Sequence, residues 1–136
     1  MAKVDDSQNM DFEIKFYEDL VAKKKDFLQA LMALGDIYTK RGFYEKGLAI
    51  DKKLTRMRPE DPTILYNLAC SYSLVNNINQ AYNVMKLAID CGYDDFHHLE
   101  KDHDLANLLK DERFQSYLSE KKPRVPGKSR EQKNDV

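Results

Sequence analysis

A step of 34 residues carries Leu31, Leu34, Gly35, Tyr38, Gly42, Gly47 and Leu54 onto Leu65, Leu68, Ala69, Tyr72, Asn76, Ala81 and Ala88. Size class is kept at nearly every step. A fixed period of this length marks a stack of helix pairs, because one pair alone cannot bury its apolar face and must lean on the next. Short side chains at 35, 47, 69 and 81 let two antiparallel helices approach closely within each pair. Leu34, Tyr38, Leu68 and Tyr72 are then expected to fill the space between units.

Local signals set the element boundaries. Phe12, Ile14, Phe16, Tyr17, Leu20 and Val21 form a helical apolar stripe over about 10–23, following polar residues 1–9 that are expected to fray. Asp26 with Gln29 suggests a capping box for a helix over 27–41, and Gly42 supplies a left-handed residue for a tight turn. The next helix, about 43–57, stops before Pro59. Asp61 as N-cap with Pro62 at the first helical position opens a helix to about Val75, and Asn76 replaces Gly42 in the turn. Asn77 and Gln80 cap a helix that ends near Gly92. The echo then fails, since Asp102 falls where Leu68 stood. Asp104 and Asp111 read as helix starts within a cap over 96–120, and 121–136 reads as a disordered tail.

Composition excludes several classes of function. The chain of 136 residues has a net charge of −1, with both signs nearly balanced, so no nucleic acid or anionic membrane is expected as partner. No apolar run nears the roughly 18 residues needed to cross a bilayer, and Lys3, Asp5 and Asp6 do not introduce a secretory signal. Cys70 and Cys91 do not make a disulfide framework, which favours a cytoplasmic setting. Phosphate loops, nucleophile elbows and zinc-protease motifs are absent, so no enzyme and no cofactor are expected. His97, His98 and His103 beside Asp102 and Asp104 read as solvated or capping groups rather than a metal site. The basic tail lacks interleaved aromatics and reads as a solubilising end.

The pattern Leu34-Gly35, Tyr38, Gly47 and Pro59, met again by Leu68-Ala69, Tyr72, Ala81 and Ala88, resembles the tetratricopeptide repeat (TPR) family. The resemblance covers a half repeat at 10–27, repeats at 28–61 and 62–95, and the cap. Leu31 and Leu65 replace the family's usual Trp, and Asp51 stands where an aromatic is common. That acid has no account from sequence beyond a nearby base or hydroxyl. The resemblance implies an all-α, right-handed superhelical stack of antiparallel helix pairs acting as a protein-binding scaffold. It further implies that the first helix of each repeat lines a concave groove, at Gln29, Met32, Ala33, Asp36, Thr39 and Lys40, then Thr63, Tyr66, Asn67, Cys70, Ser73 and Leu74.

From these the partner-binding set is Met32, Asp36, Lys40, Tyr66, Asn67, Cys70 and Leu74, suited to a short peptide or amphipathic helix of a protein partner. Asn67 can donate to and accept from a peptide backbone. Some family members grip a C-terminal carboxylate with Lys, Arg and Asn. Asn67, Lys101 and His97 approximate part of that set, but Asp36 on the facing wall would repel a carboxylate. The alternative is a self-assembling or accessory structural subunit, with weak self-association through Phe12, Phe16 and Tyr17 of the half repeat.

Overall fold

The computed structural model describes residues 6–123. Five long helices, α1 (Asp6–Lys23), α2 (Leu28–Arg41), α3 (Tyr44–Met57), α4 (Pro62–Leu74) and α5 (Ile78–Asp90), run back and forth, each packed on its chain neighbour. They are followed by α6 (Phe96–Lys101), a 3-10 turn (His103–Leu105), α7 (Ala106–Leu109) and α8 (Glu112–Lys121). Among the described residues there is no strand. The molecule is a TPR-like α-solenoid, a stack of antiparallel helix pairs.

The turns follow from residues that tolerate a left-handed backbone. Gly42 has φ 88°, donating its N–H to the Thr39 carbonyl while Phe43 N–H reaches back to Tyr38. Asn76, φ 63°, repeats the arrangement with Ser73 and Tyr72 as acceptors. Asp61 accepts from Thr63 N at 2.9 Å and Ile64 N at 3.2 Å, with Pro62 opening α4. Asn77 caps α5 by accepting from Gln80 N.

Four boundary expectations need correction. Phe27, not Asp26, is the N-cap of α2, and no side chain caps it, because a turn from Lys24 to Phe27 moves the helix start past Asp26. Helix α1 begins at Asp6, so part of the stretch expected to fray is helical; residues 1–5 lie outside the described residues. Asp102, not Asp104, caps the 3-10 turn, while Asp111 caps α8. Of the expected tail, Lys121 ends α8 and residues 124–136 lie outside the described residues.

The small residues sit at the closest helix approaches of the first pair. A methyl group on Gly47 would come within 2.8 Å of Thr39 Oγ1, and one on Gly35 within 3.1 Å of Ile50 Cγ2. In the second pair Ala69 and Ala81 are wholly buried. The principal apolar interior spans α4, α5 and the C-terminal segment, with Leu99, Leu105, Leu108 and Phe114 at 0% exposure. Ser73 fastens that segment to α4: its hydroxyl accepts from Leu108 N at 3.2 Å, and its carbonyl accepts from Asn107 Nδ2 at 3.0 Å. Ser73 is therefore sealed inside, not on a groove wall as the repeat register implied.

Candidate functional site

Between α2 and α4, where the 102–104 segment bends past α4, the helices leave a concave cavity of about 380 Å³. Met32, Gly35, Asp36 and Thr39 of α2 form one wall, and Tyr66, Asn67, Cys70 and Ser71 of α4 another. Asp51 and Leu54 of α3 close it from behind, and His98, Asp102 and Asp104 supply the far rim.

The far rim is pinned by hydrogen bonds. The Tyr66 hydroxyl donates to Asp102 Oδ2 at 2.6 Å, and the Cys70 thiol points at the same oxygen at 3.8 Å. His98 Nε2 lies 3.4 Å from it. The other oxygen, Oδ1, accepts from Asp104 N at 3.0 Å. Tyr66 is held in turn by stacking on Tyr93, centroid to centroid 4.3 Å. This wall is preorganised, since both carboxylate oxygens of Asp102 are already engaged.

Asp51 differs. It is 7% exposed, and its Oδ2 accepts from the Ser71 hydroxyl at 2.5 Å. The hydroxyl suggested by sequence is thus Ser71. Burial pushes the Asp51 carboxyl up to about 6, the Ser71 bond pulling the other way and the Asp36 charge adding to the rise. Asp104 is raised for the same first reason, burial, with Asp102 as the next contributor. Burial also pushes the Cys70 thiol well up, so it stays protonated and is a poor nucleophile.

Of the residues chosen from sequence, Met32, Asp36, Tyr66, Asn67 and Cys70 line this one cavity. Two do not. Lys40 is exposed and bonds Asp36 at 3.0 Å one turn away, outside the lining. Leu74 is half-buried at the C-terminal end of α4, also outside it. Lys101 and His97 are exposed and absent from the lining, so nothing there forms a carboxylate grip.

The residues that sequence reasoning left out of the site are Gly35, Asp51, Leu54, Ser71, His98, Asp102 and Asp104. A signal for one of them was available. Asp51 plus 34 is Met85, which is 0% exposed, so an acid had been placed in a core register. Asp36, Cys70 and Asp104 are likewise successive steps of 34 and meet at one cavity. Among the described residues no three His, Cys, Asp or Glu side chains group so as to hold a metal ion.

Comparisons place this architecture among helical repeat proteins. A solved structure titled MamA 41-end from Desulfovibrio magneticus RS-1 superposes with a TM-score of 0.62 at 14% identity, covering 85% of this chain and 67% of that one. A MamA RS-1 ArsTM double mutant gives 0.60 at 16% identity, over 79% of this chain and 68% of that one. Both are TPR-like α-solenoids, and the likeness concerns the fold. In sequence, the chain is 28% identical over 110 residues to a chloroplastic protein of Arabidopsis thaliana, a match spanning 79% of this chain and 31% of that protein. No family model matches the chain.

Proposed function

We propose that this chain is a protein-interaction module that holds a short segment of a partner protein in the cavity between α2, α4 and the 102–104 segment. The observation that carries the reading is the concave site itself, where exposed Asn67 and Met32 sit beside a preorganised polar wall on a helical repeat scaffold. Met32 and Leu54 offer apolar surface, and Asn67 offers an amide that can pair with a peptide backbone. Tyr66 acts by positioning, since its ring is buried against Tyr93 and its hydroxyl holds Asp102. Lys40 contributes through Asp36, which it partly neutralises. The role is one of binding, without catalysis. Cys70 and Cys91 are free thiols, which suits a reducing compartment such as the cytoplasm. Among the described residues no helix is long and apolar enough to cross a membrane. A site this small supports micromolar affinity, about −8 kcal/mol.

A photo-cross-linking residue at Asn67, compared with one at Asn83 on exposed α5 surface, tests the reading in cells of the native source. A discrete protein adduct from position 67 and none from 83 is expected. Adducts from 83 alone would move the binding surface to the convex side.

A second reading has its own observation. Phe12 is 74% exposed and Phe16 50% exposed on α1, an apolar face that a second copy could cover. Light scattering across a concentration series decides it: a monomer at every concentration removes self-association.

A further inference from the structure

The step of 34 residues gives α1 the place that α3 and α5 hold in their pairs. It carries Glu13, Phe16, Tyr17 and Leu20 onto Gly47, Ile50, Asp51 and Leu54, then onto Ala81, Val84, Met85 and Ala88. In α3 and α5 this row is covered. Gly47, Asp51 and Leu54 are buried, as are Ala81, Met85 and Ala88. The preceding helix does the covering in the first pair, since a methyl group on Gly35 of α2 would meet Ile50 Cγ2 and one on Gly47 would meet Thr39 Oγ1. In α1 the same row is open. Glu13 is exposed, Phe16 touches its own neighbour Tyr17 edge-on at 5.1 Å but is 50% exposed, and Tyr17 and Leu20 are half-buried. Among the described residues no helix precedes α1. Gln8 stands 34 residues before Gly42, inside the helix Asp6–Lys23, where the other two pairs have their left-handed turn. So no hairpin folds the chain back onto the row at that point. A single exposed apolar residue is ordinary, but a row in the register of two covered interfaces is half of an interface.

We propose that α1 is the docking face for a helix of a partner protein, which lies antiparallel to it and takes the place that α2 holds on α3. The inference goes beyond the cavity, whose lining includes no residue of α1. The first complete pair specifies the chemistry of that helix. Leu31 packs with Leu54, Gly35 lies against Ile50, and Thr39 lies against Gly47, at successive intervals of four along α2. Stepped back one repeat, the incoming helix meets Leu20 with an aliphatic residue, Phe16 with a small one and Glu13 with a third. Phe16 is bulkier than Ile50, so glycine or alanine opposite it keeps the two axes close. Glu13 replaces a glycine, so lysine or arginine in the third position can pair with its carboxylate. A second copy offering its own α1 fits less well, because Glu13, Phe16, Tyr17 and Leu20 include no small residue.

A displayed library of helix-constrained peptides, selected on the full chain, tests this once the hits are resynthesised and titrated against its amide chemical shifts. Hits should move α1 amides and share an aliphatic, a small and a basic residue at intervals of four. Changing the small residue to Phe should weaken binding by about tenfold or more, and Phe16→Ser, at an exposed position, should do the same. Glu13→Lys should weaken the hits yet restore those whose basic residue is changed to Glu, a reversal that loss of folding cannot mimic. Hits that move α1 amides without that spacing, or that bind both variants undiminished, overturn the proposal. So do α1 shifts that depend on the concentration of the chain alone, which would make a second copy the occupant. Hits that move only the α2 and α4 amides of the cavity overturn it while supporting the cavity reading. No hits, or hits elsewhere, overturn it and leave the cavity to its own cross-linking test.

Discussion

Around α4 and α5 the apolar side chains merge into one interior running from Leu48 to Leu118, whereas around α1 and α2 they divide into two small clusters. One of these joins Ile14, Leu34 and Tyr38, the other Leu31, Leu54 and Ile64. The contrast has a sequence cause. After α5 the repeat is abandoned, but Leu99, Leu105, Leu108 and Phe114 still arrive at spacings that cover the end of the stack. Among the described residues α1 alone precedes α2; it buries Ile14 on one side, and its Phe12 and Phe16 are exposed. A solenoid's stability is roughly a sum over neighbouring interfaces, so the end with fewer of them opens first. The cavity lies where these two halves meet. Its α2 wall belongs to the sparse half and its Asp102 wall to the sealed one.

Substitutions can break this contrast in order of size. Phe114→Ala, removing an unexposed ring from the sealed end, should cost about 3–5 kcal/mol in chemical denaturation and loosen the 102–104 segment with it. Ile14→Ala at the sparse end should cost about 2 kcal/mol, with hydrogen exchange accelerated in α1 and α2 while α4 and α5 stay protected. Equal acceleration in all four helices would show the stack to be one cooperative unit. Lys40→Ala, removing an exposed ion pair with Asp36, should change stability by no more than about 0.5 kcal/mol.

How much of this was legible in the sequence differs between fold and site for a physical reason. The helix pairs, the left-handed turns at Gly42 and Asn76 and the caps at Asp61 and Asn77 depend on neighbours a few residues away or on a repeated spacing, and both are written in the chain. Phe27 as an uncapped helix start was not, because the Lys24–Phe27 turn overrode the polar signal at Asp26. Within the site, the α4 residues Tyr66, Asn67 and Cys70 came from helix register. Leu74 did not reach the cavity because it sits too far along α4, and Lys40 points to solvent from the last turn of α2. The opposite rim was invisible, since its placement depends on a six-residue helix, α6, stopping at Asp102 so that the carboxylate meets Tyr66. Asp51 showed itself only as a misfit.

That misfit makes stability depend on pH. Asp51 ionises near 6 in the folded chain against 3.8 ordinarily, so folding favours its protonated form. Whatever stability the protonated carboxyl confers is complete below about pH 4 and is lost as pH rises through about 6. The groups facing it are Asp36 from α2 and Ser71 and Cys70 from α4, with Asp102 and Asp104 across the cavity; among the described residues no lysine or arginine lines that space.

The most direct measurement is the stability difference between Asp51→Asn and the natural chain as a function of pH. The difference should rise in favour of Asn by about 1–3 kcal/mol between pH 4 and pH 7.5 and level off above. A difference that stays flat across that range, or that falls, would mean the carboxylate is adequately partnered in the folded chain.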